Sequence, residues 1–244
     1  MIITLCPTYG RPALLQSMLA MYEAQTLPVE RRHLIMLDDS GLLPGPVIEG
    51  HGWTLLSNDI KVPTLVQKYQ VMTTWAKQRW PEHDSYALMD DDDIYAPWYL
   101  FAHEKALEQS GFSHPRRVWS TYLSAAAPSL ELSDRRFWAS TAFRRDFFEE
   151  IGGWQDSPQV QYDQDHMTRM YAVEAPGRPD AIRPPAYIYG WGRSNHCSGL
   201  AREEWYTDHA PMTFDRVDRI VPKLDPQATE LLEYIEMKLG NCLA

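Results

Sequence analysis

The chain has 244 residues, 44% hydrophobic and 12% aromatic, with 23 Lys+Arg against 33 Asp+Glu and a formal net charge of −10. Roughly 200 to 250 residues is ordinary for one α/β domain and buries a core without staples, which excludes disordered, collagen-like and small-scaffold classes. The longest charge-free stretch, Val118 to Leu130, contains Ser, Thr and Pro, and it falls short of the roughly 18 apolar residues of a membrane span. In chain order, Ile2 to Cys6 is an apolar run stopped by Pro7-Thr8-Tyr9-Gly10, which predicts a buried strand and not the leader of a secretory signal. From Pro12, the residues Leu14, Leu15, Met18, Leu19 and Tyr22 share one face of a helix. His33 to Leu37 reads as a second strand, followed by Asp38-Asp39-Ser40-Gly41 and a Pro/Gly-rich loop. Leu65, Tyr69, Met72 and Ala76 recur at helical spacing before Pro81, and Tyr86 to Met89 is a third strand running into Asp90-Asp91-Asp92-Asp93. This alternation predicts an α/β protein with a mostly parallel, doubly wound sheet.

Pro97 opens a helix that stops near Ser110-Gly111. Val118 to Leu123 and Phe137 to Phe143 read as strands, Arg145 to Ile151 as a short helix before Gly152-Gly153, and Asp163 to Tyr171 as another helix. Ala186 to Gly190 reads as a late strand leading into Trp191-Gly192-Arg193-Ser194-Asn195-His196. A last helix has Asp225 as its cap, Pro226 at its first position and Gly240 at its end. With no repeat or linker, one domain is expected. Cys6, Cys197 and Cys242 are far apart, which suits reduced thiols and a cytoplasmic protein and offers no zinc spacing.

Two acidic clusters, Asp38-Asp39 and Asp90 to Asp93, follow apolar strands directly, where open α/β sheets bind ligands. Four adjacent carboxylates repel one another unless solvent or a cation neutralises them, and hard oxygen ligands select Mg²⁺ or Mn²⁺. A solvated acidic loop is the alternative.

Taken in order, the blocks Cys6-Pro7-Thr8-Tyr9-Gly10-Arg11, Leu37-Asp38-Asp39-Ser40-Gly41, Leu88 to Pro97 and Phe143 to Trp154, the last ending in a Gly-Gly-aromatic turn, resemble the family 2-like glycosyltransferases of the GT-A fold. The resemblance spans roughly residues 2 to 200. It implies a Rossmann-like nucleotide-diphospho-sugar transferase fold, a mixed, mostly parallel sheet flanked by helices. Residues 1–95 would form a nucleotide-binding half, 96–210 an acceptor and catalytic half, and 211–244 a C-terminal helical extension.

Residue by residue, the resemblance implies that Thr8 and Tyr9 line the nucleoside pocket and that Asp39 accepts a hydrogen bond from the base. It also counts Arg11 and Asp91 among the nucleotide-sugar residues. The family's D-x-D falls on Asp90 and Asp92: Asp90 faces the ribose or the metal, and Asp92 ligates a metal bridging the diphosphate. Asp91 and Asp93 leave the register open by one residue. One of Asp38 and Asp39 is expected to be a simple turn cap. The family's base belongs to a Glu-Asp pair six positions before an Arg, and counting back from Arg169 reaches Asp163, with Tyr162 in place of the Glu. Asp165, at ion-pair spacing from Arg169, is the second candidate.

His196 stands where the superfamily often recruits a metal-binding His, the alternative being a surface histidine. Arg193 on the same loop is placed to pair with the diphosphate, or is an exposed arginine. Lys68 lies where the family often has a basic residue near the nucleotide, against the alternative of a solvated lysine on a helix face. Trp138, Trp154, Trp191 and Trp205 are core residues or sugar platforms. Six Arg between Arg116 and Arg145 outnumber Glu131 and Asp134, a basic stretch that is either ion-paired or open to a polyanion.

The expectation is a metal-dependent, inverting hexosyl- or pentosyltransferase using Mn²⁺ or Mg²⁺ and a nucleotide diphosphate sugar, foremost a UDP-sugar. Its acceptor would be a glycan, a lipid-linked sugar or a modified nucleic acid. A DNA-modifying glycosyltransferase acting on a hydroxylated base shares the donor machinery. A nucleotidyltransferase would show a Gly-rich basic loop after the first strand, and a non-catalytic sugar- or cation-binding module would need no base.

Overall fold

The computed structural model describes residues 1–43, 47–120, 128–155 and 162–189. Its first strand, β1 (Ile2–Thr8), pairs in parallel with β2 (Arg32–Asp38) on one side and with β5 (Ser85–Leu88) on the other. The first helix, α1 (Pro12–Glu23), connects β1 to β2, and α2 (Leu65–Arg79) leads into β5. Successive strand residues point to opposite faces: Ile2, Cys6, Leu34 and Met36 enter one core, and Ile3, Leu5, Ile35 and Leu37 enter the other. Helices cover both faces, which is why these strands read as unbroken apolar runs.

A hairpin, β3 (Val47–Gly50) and β4 (Trp53–Ser57), adds β4 in parallel to β2 with β3 antiparallel outside it. The sequence reading has only a loop here. Gly52, at φ +79, makes the turn, and a Cβ on it would lie 2.5 Å from Val29 Cγ2. The far edge is also antiparallel. After β6 (Ile94–Tyr95) and α3 (Tyr99–Leu107) come β7 (Phe112–Ser113), β8 (Arg117–Ser120) and β9 (Ser129–Leu132). β10 (Ala142–Arg144) lies between β5 and β7, giving the order β3-β4-β2-β1-β5-β10-β7.

The short helix α4 (Arg145–Glu150), the helix α5 (Tyr162–Val173) and the strand β11 (Tyr187–Tyr189) complete the described residues. A second sheet runs β6-β11-β8-β9, with Tyr187 opposite Tyr95 and Ile188 opposite Ile94. The strand expected over Phe137 to Phe143 is a 3-10 turn, Trp138–Ser140, followed by β10. Its cause is upstream, where Asp134, Arg135 and Phe137 have φ of 43, 66 and 62, a left-handed region that interrupts extended chain. The helix expected from Pro97 begins at Tyr99. Residues 121–123 of the strand expected from Val118, the loop carrying Arg193 and His196, and the C-terminal helix lie outside the described residues. Among those described, no helix is long and apolar enough to cross a membrane.

Candidate active site

The carboxyl ends of β1, β2 and β5 meet at one rim, carrying Thr8, Asp38-Asp39 and the acidic run that follows Leu88. The two aspartates after β2 divide their work. Asp38 is the turn cap: it accepts the Gly10 N–H at 2.6 Å, the Ser40 hydroxyl at 2.6 Å and the Ser40 N–H at 3.2 Å. Asp39 accepts the Val62 N–H at 2.7 Å and faces the Lys68 ammonium in an ion pair. That ammonium also donates to the Thr8 carbonyl at 2.8 Å and stands 5.3 Å from the Tyr9 ring centroid. Lys68 is therefore buried and not a solvated helix-face residue, and its ammonium brings Thr8, Tyr9 and Asp39 together.

The four aspartates after β5 face two ways. Asp91 turns toward β1, accepting the Thr8 hydroxyl at 2.6 Å and Arg11 Nη2 at 2.5 Å, while Arg11 Nη1 reaches Asp92 at 3.1 Å. Asp90, Asp92 and Asp93 each offer a carboxylate oxygen, and these three atoms lie within 4.8 Å of one another. Asp93 was not singled out from the sequence as a ligand. Its carboxylate accepts the Tyr187 hydroxyl at 2.6 Å, and Asp90 accepts the Tyr69 hydroxyl at 3.0 Å. The Asp90 N–H donates to the Tyr95 hydroxyl at 2.7 Å.

Burial and the neighbouring Asp92 carboxylate push Asp90 up to about 7, against the pull of the Tyr69 hydroxyl. Burial likewise raises Asp91 to about 6, although Arg11 opposes it. Among the described residues, Arg11 pairs with Asp91 and Asp92, and Lys68 pairs with Asp39. A set of hard oxygen donors in reach of one another fits Mg²⁺ or Mn²⁺.

Asp163 is the second residue of α5 and accepts the Gln164 N–H at 2.8 Å. Two phenols tie it electrostatically to the acidic run. Tyr162 is raised by burial and then by Asp90, Asp163 and Asp92; Tyr189 is raised by burial and then by Asp93, Asp92, Asp163 and Asp90. Asp165 is exposed and acts instead on Arg169. Arg169 donates to the Ile151 carbonyl at 2.8 Å and to the Gly153 carbonyl at 3.2 Å. It thereby fastens the turn in which Gly152 and Gly153 have φ of 87 and 64. The Gly-Gly turn and the helix arginine are two halves of one contact.

Trp154, after that turn, stacks on Tyr69 with centroids 4.9 Å apart and on His166 at 5.0 Å, so it supports the tyrosine that holds Asp90. Trp138 is buried in the same cluster. Both are packing residues here, and Trp191 and Trp205 lie outside the described residues. In the arginine-rich stretch, Arg117 pairs with Asp180, Arg136 with Glu131, Arg144 with Asp146 and Arg145 with Glu149. Arg135 sits over the Tyr171 ring. The tyrosines Tyr69, Tyr95, Tyr187 and Tyr189 were missed as site residues because apolar periodicity assigns a tyrosine to the core without telling where its hydroxyl ends.

No protein-family model matches the chain, and no curated protein matches it. Solved structures do. The Staphylococcus aureus TarS fragment 1–349 in complex with UDP-GlcNAc is similar with a TM-score of 0.62 at 11% identity, over 98% of this chain and 71% of that one. The Pyrobaculum calidifontis mannosyltransferase PcManGT, in complex with GDP-Man and Mn²⁺, is similar with a TM-score of 0.58 at 16% identity, over 96% of this chain and 68% of that one. In another TarS 1–349 structure the match covers 77% of this chain and 60% of that chain, and in a longer TarS structure 36% of that chain. Identities this low speak to architecture. The strands that carry Thr8, Asp39 and the acidic run are built into the GT-A fold of nucleotide-sugar glycosyltransferases.

Proposed function

We propose that the chain transfers a sugar from a nucleoside diphosphate donor to an acceptor hydroxyl, with a divalent cation held by Asp90, Asp92 and Asp93. The observation that carries this reading is the convergence of those three carboxylates, within 4.8 Å, beside the Thr8–Asp39–Lys68 pocket. It is supported by a fold shared with proteins bound to UDP-GlcNAc and to GDP-Man with Mn²⁺. Thr8, Tyr9 and Asp39 hold the nucleoside, and Asp39 is oriented by Lys68 and the Val62 N–H.

The cation, when bound, supplies Lewis-acid stabilisation of the charge on the departing diphosphate. Asp163 takes the proton of the acceptor hydroxyl as the oxygen attacks the anomeric carbon, and the proton remains on its carboxyl group. One displacement without a covalent enzyme intermediate inverts the anomeric centre. Tyr162 and Tyr189 keep their protons, their pKa values raised by burial and by the nearby carboxylates. The ion pairing of the Arg116 to Arg145 stretch leaves a nucleic-acid acceptor without its main support.

Titration calorimetry of UDP and GDP, with Mn²⁺ and then with excess EDTA, tests the reading. Four clustered carboxylates repel a bare diphosphate, so at least one nucleotide is expected to bind more tightly with Mn²⁺. Equal affinity in both conditions removes the cation from the reading, and absence of nucleotide binding removes the activity.

A further inference from the structure

We propose that Arg11, with Thr8, selects which of the four consecutive aspartates hold the cation, by keeping Asp91 for itself and leaving Asp90, Asp92 and Asp93 as the ligand set. The proposal rests on the cation reading above and makes Arg11 a positioning residue. A run of four identical ligands has no register of its own, because carboxylates one residue apart differ only in direction. Something outside the run must break the tie. In this protein the tie is broken from β1: the Thr8 hydroxyl donates to Asp91 Oδ2 at 2.6 Å and Arg11 Nη2 to Asp91 Oδ1 at 2.5 Å. Both oxygens of Asp91 are taken, and Asp91 is not among the three aspartates whose oxygens converge.

The same guanidinium reaches Asp92 Oδ2 through Nη1 at 3.1 Å, while a carboxylate oxygen of Asp92 still lies within 4.8 Å of those of Asp90 and Asp93. One planar fork therefore fixes two neighbouring side chains in two directions, which the point charge of a lysine does not do. The backbone that presents the fork is itself fixed. Gly10 has φ +61 and donates its N–H to Asp38 at 2.6 Å, and the Arg11 carbonyl accepts the Leu15 N–H at 3.0 Å in the first turn of α1. A Cβ on Gly10 would meet Leu42 Cδ1 at 3.1 Å and Ser40 Cβ at 3.2 Å. The chain between β1 and α1 thus has little freedom to carry Arg11 elsewhere.

The consequence is chemical. Three carboxylates leave positions on an octahedral cation for water and for phosphate oxygens, whereas a fourth fills one of them. With Arg11 gone, Asp91 keeps only Thr8 and is drawn to the cation. Arg11→Gln is therefore expected to bind Mn²⁺ with fewer inner-sphere waters, read by water-proton relaxation without nucleotide. It is also expected to bind UDP to the Mn²⁺-loaded protein about 10-fold more weakly, a size typical of losing a residue that orients a ligand.

Asp91→Asn added to Arg11→Gln removes the competing carboxylate, and both readouts are expected to return toward the wild type. A residue that only binds nucleotide, or only stabilises the fold, gives no such rescue. If Arg11→Gln does not fold, the pair Arg11→Lys and Arg11→Lys/Asp91→Asn is read in the same way, with a smaller change of the same sign. Wild-type protein that gives no Mn²⁺ relaxation signal overturns the cation reading together with this one. Wild-type binding with an unchanged Arg11 variant, or a loss that Asp91→Asn does not repair, overturns this proposal alone.

Discussion

Lys68→Met separates a buried ion pair from a surface lysine. Lys68 is 8% exposed, its ammonium is paired with the fully buried Asp39 side chain, and it donates to the Thr8 carbonyl. Methionine keeps much of the stem and removes the charge, so Asp39 is left with the Val62 N–H and the Thr8 carbonyl loses a donor. Removing one partner of a buried pair costs about 3–5 kcal/mol. The lost hydrogen bond belongs to the same ammonium and is not added separately. At about 2–4 °C per kcal/mol for a chain of this size, the lower figure predicts a fall in melting temperature of at least about 6 °C. A solvated lysine would cost about 0.5 kcal/mol or less. Calorimetric melts of Lys68→Met, Asp39→Asn and the double variant decide between these. The double variant is expected to recover about half of the loss, because neither charge is left alone. A single-variant shift below about 2 °C, or strict additivity in the double variant, refutes the buried pair.

Asp163→Asn is expected to lower transfer to the acceptor by at least about 10²-fold while nucleotide-sugar affinity stays within a factor of about two, since the lost step is proton removal. Asp165→Asn, on the exposed side of α5, is expected to retain activity, and the reverse pattern would move the base to Asp165. The third prediction concerns pH. Asp90 is held up at about 7 chiefly by burial, so the folded state binds its proton more tightly than the unfolded chain, where a carboxylate titrates near ~4. Its charge destabilises the metal-free fold increasingly as pH rises from about 4 to about 7, and no further above that. The melting temperature of metal-free Asp90→Asn relative to the wild type is expected to be higher at pH 8 than at pH 5.5, and a difference independent of pH contradicts the assignment.

The central strands were legible because they are buried on both faces. Ile2 to Cys6, His33 to Leu37 and Tyr86 to Met89 each read as apolar and each end at a polar break, and they became β1, β2 and β5. The edges were less legible. β3 exposes Val47 and β9 exposes Leu130 and Leu132, so their short polar and apolar mixtures carry little period-2 signal. The left-handed residues before the Trp138 turn are a tertiary effect: the Arg136 carbonyl is held by the His114 ring at 2.7 Å and the Arg135 guanidinium lies over Tyr171.

In the site, residue type and order pointed to one rim of the sheet, but not to side-chain direction. Helical spacing placed Tyr69 inward and left Lys68 beside it unassigned, whereas the lysine ammonium lies 5.3 Å from the Tyr9 ring centroid and pairs with Asp39. Between Leu88 and Ile94 the chain belongs to no strand, so no periodicity was available to say which of Asp90 to Asp93 face one another.

The partners of the acidic run explain how it remains both folded and negative. Buried carboxylates need hydrogen-bond donors, and the usual solution of paired lysines or arginines would cancel the charge that attracts a cation. Among the described residues, the hydroxyls of Tyr69 and Tyr187 donate to Asp90 and Asp93. Burial and the carboxylates themselves raise both phenols well above their ordinary range, so these groups stay protonated and donate without adding positive charge. The guanidinium of Arg11 holds Asp91 and one oxygen of Asp92, and the Lys68 ammonium pairs with Asp39. Desolvation is thus met by neutral donors where charge must survive and by cations where direction must be fixed. Among the described residues that division leaves Asp90, Asp92 and Asp93 hydrogen-bonded or clamped, the arrangement on which the proposed binding of a divalent ion with a diphosphate rests.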